Sequence, residues 1–208
     1  AASDFTIPYS CRFDRGSSAY LSRTPGSAGN RKTWTFSCWL KRTNPANLFM
    51  RIFNAGDPDP FGTIGFTEDA SGIEVKDENN TPDLEESAIR RDPSAWYHIV
   101  VASDTTQGTD TDRLKIYVNG SQTTDFGTAV YPAEDFEWGF ANNDVHYIGA
   151  QTRSGPTNYL DGYLAEVHFI DGTALTPSSF GESGDYGEWK PIKVSGLTYG
   201  TTGFYLDF

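Results

Sequence analysis

The sequence predicts an all-β protein, a two-sheet antiparallel jelly-roll sandwich with at most one short helical turn. Three observations predict it. Many short runs alternate apolar and polar residues with period two, and Gly, Pro and Asp separate them. At 14% aromatic and 37% hydrophobic, a chain of this length carries the apolar material of one sizeable sandwich core. Asn119-Gly120 is a strong hairpin signal, because both central positions of a tight type I′ turn need positive φ. At 208 residues the chain suits one large sandwich better than two small domains, so residues 1–208 read as one domain.

Each element follows from its local pattern. In residues 33–42, Trp34, Phe36, Cys38 and Leu40 fall on one face and Thr35, Ser37, Trp39 and Lys41 on the other, as in a half-buried strand. Residues 96–104 are apolar on both faces for most of their length, which predicts a central strand, and residues 113–119 alternate Leu114, Ile116 and Val118 inward. Asn119-Gly120 then folds that strand back onto residues 121–124. Further strands are expected at 10–13, 19–23, 48–54, 61–67, 72–76, 84–89, 146–149, 162–170 and 204–208. One turn of helix is expected where Thr176 caps and Pro177 opens it. The chain ends on an apolar strand, which is expected of a domain cut from a longer protein.

Charge narrows the partners. The 28 acidic and 16 basic residues give a net charge of −12, which repels phosphate backbones and anionic membranes, so nucleic acid is not an expected partner. No stretch approaches the roughly 18 apolar residues of a membrane-spanning helix. Cys11 and Cys38 both lie in strand-like runs. A buried pair of free thiols and a strand-bridging disulfide are both open, with inert core cysteines favoured.

Five strings in order carry a resemblance. They are Ser10-Cys11-Arg12-Phe13-Asp14; Thr35-Phe36-Ser37-Cys38-Trp39-Leu40-Lys41-Arg42; Trp96-Tyr97-His98-Ile99-Val100-Val101; Leu114-Lys115-Ile116-Tyr117-Val118-Asn119-Gly120; and Asp161-Gly162-Tyr163-Leu164-Ala165-Glu166-Val167. Together they resemble the concanavalin A-like lectin/glucanase superfamily in its laminin-G-like branch, across nearly the whole chain. Finer wording, including Asp92-Pro93-Ser94-Ala95-Trp96-Tyr97-His98, looks like modules in virion proteins of marine tailed bacteriophages. The resemblance implies a binding module on a virion surface with host-surface glycan as partner. The alternative is a structural or decoration module that contacts other virion proteins.

The superfamily's glycosidases resemble one another in a Glu-x-Asp-x-(x)-Glu strand, which is absent here, so the chain reads as no enzyme. The acidic groups around Glu74, Glu86 and Glu134 read as solvated loop charge, and His98, His146 and His168 as packing residues. Glu166 is expected to share a face with Leu164 and His168 and to make a structural hydrogen bond.

The loops hold the candidate sites. A sugar needs an aromatic platform beside planar polar groups. Trp138 with Asn142 and Asn143 is one such cluster, Arg153 and Tyr159 are placed to complete it, and Asp57 and Asp59 stand on a proline-stiffened corner. Laminin-G-like relatives imply calcium near rim loops, for which Asp104, Asp110, Asp112 and Asp144 are the candidate oxygen ligands.

Overall fold

The structure is a computed structural model describing residues 4–44, 49–56, 61–67, 72–77, 81–152 and 155–208. Among the described residues the chain builds two antiparallel sheets of seven strands each, face to face, and two small hairpins beside them. The strands are β1 (Cys11–Phe13), β2 (Leu21–Arg23), β3 (Thr33–Arg42), β4 (Met50–Ala55), β5 (Gly62–Phe66), β6 (Ile73–Lys76), β7 (Asp83–Glu86), β8 (Tyr97–Asp104) and β9 (Leu114–Val118). They continue with β10 (Ser121–Gln122), β11 (Phe126–Val130), β12 (His146–Ile148), β13 (Gln151–Thr152), β14 (Pro156–Thr157), β15 (Gly162–Asp171), β16 (Gly181–Ser183), β17 (Trp189–Pro191) and β18 (Phe204–Leu206). The first sheet runs β1-β15-β3-β8-β9-β10, with β18 also on β15; the second runs β11-β7-β6-β5-β4-β12-β2. No described helix is long and apolar enough to cross a membrane.

The two inner faces meet in an aromatic core. Phe53 of β4 stacks on Phe36 of β3 at 5.0 Å and on Phe140 at 4.9 Å, while Trp34 meets Trp138 edge-on at 5.6 Å. Such pairs add about 0.5–1.5 kcal/mol each beyond burial. The expected parity of β3 is met, with Trp34, Phe36, Cys38 and Leu40 in this core. Its other face is not half exposed, however, because residues 173–203 fold across it. Val100, Ile170 and Phe180 form a second small core there with Leu175, Val194, Leu197 and Tyr199. Period two reports which residues share a face, not whether a distant segment covers it.

Asn119 and Gly120 adopt φ of 49° and 79°, and Val118 pairs with Ser121, as the hairpin signal required. The expected helical turn is a 3₁₀ turn, Pro177–Ser179, but it is not alone as expected, since Arg15–Ser17 and Asp110–Asp112 form two more; Thr176 makes no side-chain cap, its hydroxyl meeting Ser178 Oγ at 2.9 Å instead. Strands β11, β13, β14, β16 and β17 were not expected: they are short, and β11 lies at a sheet edge where no alternation is imposed by burial on both sides. Both cysteines are free. Cys11 on β1 and Cys38 on β3 are separated by β15, and two strand spacings, about 10 Å, exceed disulfide reach.

Candidate functional site

A groove lined by three tryptophans lies on the outer face of the first sheet. Strand register places Trp39 of β3 opposite His98 of β8 and Ala165 of β15. Trp39 stacks on the His98 ring at 4.9 Å, and His98 stacks in turn under Trp189 of β17 at 6.0 Å and 17°. Trp96, one residue before β8, stands 37% exposed beside them, and Tyr9 is 66% exposed on the N-terminal segment that runs over the sheet. Two hollows of about 370 and 480 Å³ meet at Trp39 and Trp96, each in the range of small-ligand sites. The first lies under residues 5–10 and carries Thr6 and Ser10 among apolar walls. The second is bordered by Asn119, Gly120, Ser121, Ser183, Glu188 and Trp189.

His98 is the hub of this floor. An indole N–H only donates, so the 2.9 Å bond from Trp189 Nε1 fixes His98 Nδ1 as an acceptor. The ring proton then sits on Nε2, which donates to Ser37 Oγ at 2.9 Å. Burial, and to a smaller extent the neighbouring His168, lowers the His98 pKa to about 3. The ring is therefore neutral across physiological pH. Space for Trp189 is left by Gly120 and Gly181, where an added Cβ would fall 2.4 and 2.6 Å from the indole. Asn119 Oδ1 accepts the His98 backbone N–H at 2.8 Å, tying the hairpin turn to the floor. Glu188 Oε2 accepts the Tyr186 backbone N–H at 3.1 Å. Aromatic faces beside amides, hydroxyls and one carboxylate can stack on C–H surfaces while satisfying hydroxyls.

The sequence-predicted sites do not assemble here. Trp138 is corrected from ligand platform to core residue: it is 0% exposed, meets Phe136 and Trp34 edge-on, and donates from Nε1 to Ser103 Oγ at 3.0 Å. Asn142 donates to Asp144 Oδ2 at 2.6 Å, and Asn143 is exposed in the same turn. Tyr159 donates to the Pro156 carbonyl at 2.8 Å and packs near Tyr20 on the second sheet's side. Asp57, Asp59 and Arg153 lie outside the described residues.

For calcium, among the described residues no three His, Cys, Asp or Glu side chains converge. Asp104 instead organises its own loop, accepting from Thr106 Oγ1 and Gln107 Nε2 at 2.6 Å each. Partial burial works to raise its pKa, but these hydrogen bonds outweigh it and the pKa is lowered. Asp110 accepts the Thr111 N–H at 2.7 Å, Asp112 pairs with Lys115 at 2.8 Å, and Asp144 is taken by Asn142.

Two further expectations change. Glu74 and Glu86 are buried, not solvated: Glu74 pairs with Arg51 and Lys76, and Glu86 with Arg90 and the Ile73 N–H. Glu134, Asp135 and Glu137 are exposed, as expected. Glu166 does make a structural hydrogen bond, from Tyr205, but it does not share a face with Leu164. A bulge between Ala165 and His168 shifts the parity of β15, holding Glu166 at φ 48°. The groove escaped sequence reading because Trp39, Trp96 and Trp189 are far apart in the chain. Trp39 on the non-core face of β3 was its one local signal.

The fold recurs in carbohydrate-associated proteins. Domain 4 of an extracellular arabinanase from Geobacillus stearothermophilus, solved with arabinotriose, is 17% identical, with 86% of this chain and 77% of that one covered and a TM-score of 0.55. A Ruminococcus gnavus sialidase carbohydrate-binding module bound to α2,3-sialyllactose is 16% identical over 76% of this chain and 95% of that one, TM-score 0.51. The enzymatically active domain of bacteriophage CBA120 tailspike protein 2 is 12% identical, TM-score 0.56; 81% of this chain matches 26% of that chain, about a quarter of its length. At these identities the likeness is one of fold. No curated protein matches the sequence. The sequence profile of the laminin G family Laminin_G_3 matches residues 15–179. The chain belongs to this family of the concanavalin A-like lectin/glucanases superfamily.

Proposed function

We propose that the chain is a non-catalytic carbohydrate-binding module of a phage surface protein, and that it seats host-surface glycan in the groove over Trp39, Trp96 and Trp189. The observation that carries the reading is the groove itself: an exposed Trp96 and Tyr9 above a rigid ring stack, with Asn119, Ser121 and Glu188 alongside. Sugar-bound neighbours of the same fold, the arabinanase domain and the sialidase module, support glycan as ligand. The tailspike likeness and the phage-like wording of the sequence support the virion setting. Double displacement needs two carboxyl groups about 5.5 Å apart. Among the described residues lining the groove, Glu188 is the one carboxylate, which supports binding without turnover. Single-site affinity in the micromolar to millimolar range suffices when copies are arrayed on a particle.

A glycan array followed by calorimetry tests the reading. Wild type is expected to bind at least one glycan class, and Trp96→Ala to weaken it about tenfold or more, with an unchanged thermal midpoint. No binding at millimolar glycan, or full binding by Trp96→Ala, overturns it.

A further inference from the structure

The geometry points to a neutral oligosaccharide bearing a methyl group, on an acetamido or a 6-deoxy sugar, as the ligand class of this groove; the inference rests on the glycan reading above. The two hollows that meet at Trp39 and Trp96 are unlike. One is walled chiefly by Phe5, Ile7, Pro8, Tyr9 and Pro191, the other by Asn119, Ser121, Ser183 and Glu188. A plain hexose carries polar groups on nearly every carbon, and a hydroxyl placed against the first wall loses water without gaining a full set of partners. A methyl substituent suits that wall, and the hydroxyls of the adjoining ring suit the second hollow.

Charge selects against acidic sugars. Among the described residues that line the two hollows, Glu188 is the one charged side chain. The cation nearest Glu188 is Lys190, 3.9 Å from its carboxylate and paired with it; by register on the same face the next are Lys41 and Arg12, both opposite Tyr163. With a net charge of −12 behind it, the groove repels a carboxylate- or sulfate-bearing glycan.

Calorimetry on the whole chain with four trisaccharides tests this. Triacetylchitotriose and cellotriose share linkage and length and differ at C2, where one carries an acetamido group and the other a hydroxyl. A trirhamnoside supplies the 6-deoxy methyl, and trigalacturonate supplies negative charge. One or both methyl-bearing probes are expected to bind about fourfold or more tighter than cellotriose, the worth of one buried methyl, and trigalacturonate weakest of all. Whichever methyl-bearing probe leads identifies the source of the methyl. Ile7→Ser is expected to weaken the methyl-bearing probes several-fold more than cellotriose, so that their preference over cellotriose narrows toward unity. If cellotriose matches both methyl-bearing probes, or trigalacturonate binds best, and Trp96→Ala still abolishes binding, glycan recognition stands and the methyl-neutral class falls. If no probe binds at 10 mM, this inference falls, and the array decides the wider reading separately.

Discussion

Trp189 and His98, 91 positions apart, are joined by a 2.9 Å hydrogen bond from indole Nε1 to imidazole Nδ1 and by near-parallel stacking. The pair fastens the β16–β17 hairpin to the first sheet and gives the groove a floor that does not change charge near neutral pH. Because the indole can only donate, protonating His98 at Nδ1 would break this bond and bury a cation.

Stability is therefore expected to fall on mild acidification. His98 has its pKa lowered to about 3 and His146 to about 4, in both cases first through burial, against about 6.5 in an unfolded chain. Above pH 6.5 neither state binds the proton. Below it the unfolded chain takes protons that the folded protein refuses, so stability is lost as pH falls from about 6.5 toward 4. From pH 7 to pH 5 each histidine costs about 2 kcal/mol. Urea unfolding at the two pH values is expected to show the sum in wild type and about half of it in His98→Gln. Equal losses in both proteins would show that His98 does not carry this dependence. Asp14, Asp92 and Asp104, whose pKa values are lowered, act below this window.

Gly120 is expected to tolerate no side chain. Its φ of 79° disfavours an L residue, and an added Cβ would fall 2.4 Å from the Trp189 ring. Gly120→Ala should destabilise by about 2–3 kcal/mol, combining left-handed strain with displacement of a packed ring. Gly108→Ala, where an added Cβ meets nothing within 4 Å, is the control and should stay within about 0.5 kcal/mol. Equal denaturation midpoints for the two variants would refute the close fit.

These two sites show what was legible in the sequence. The Asn119-Gly120 turn is a local signal with a local cause, and it folds as read. The alternation of β3 was equally plain, yet the role of Trp39 was not, because its partners Trp96 and Trp189 come from a pre-strand residue and a short hairpin without periodicity. Trp138 misled for the converse reason. Flanked by Phe136, Phe140 and two asparagines it resembles a sugar platform, but only tertiary packing reveals that Trp34 and Phe140 close over it. Glu74 looked solvated because its partner Arg51 lies 23 positions away on β4, and Glu86 because the i,i+4 spacing to Arg90 signals a pair on a helix, whereas here it spans the end of a strand and a loop.

The Arg51–Glu74 pair on the outer face of the second sheet is almost wholly enclosed, at 2% and 5% side-chain exposure. Arg51→Met is expected to cost about 3–5 kcal/mol, since Glu74 keeps a buried charge that Lys76, at 2.7 Å, only partly compensates. Adding Glu74→Leu should recover much of that loss, because a matched apolar pair carries no desolvation penalty and Lys76 retains some access to water. Chemical denaturation of the single and double variants checks this. A double variant less stable than Arg51→Met would contradict it.

Tyr205 is expected to hold the bulge in β15. Its hydroxyl reaches both Glu166 carboxylate oxygens, at 2.9 and 2.8 Å, and its ring stacks on His168 at 4.3 Å and 4°. Burial, together with the Glu166 carboxylate, raises the tyrosine pKa, so the hydroxyl stays a donor throughout the working range. Tyr205→Phe keeps the stack and removes the donor. It should cost about 1–2 kcal/mol, the lower part of the range for a bond to a charged acceptor, because the residue is 42% exposed. Tyr205→Leu loses the stack as well and should cost about 1 kcal/mol more. Urea midpoints ordered wild type, Phe, Leu would support both contributions. A phenylalanine variant as stable as wild type would mean that Glu166, held at φ 48°, is fixed by the strand alone.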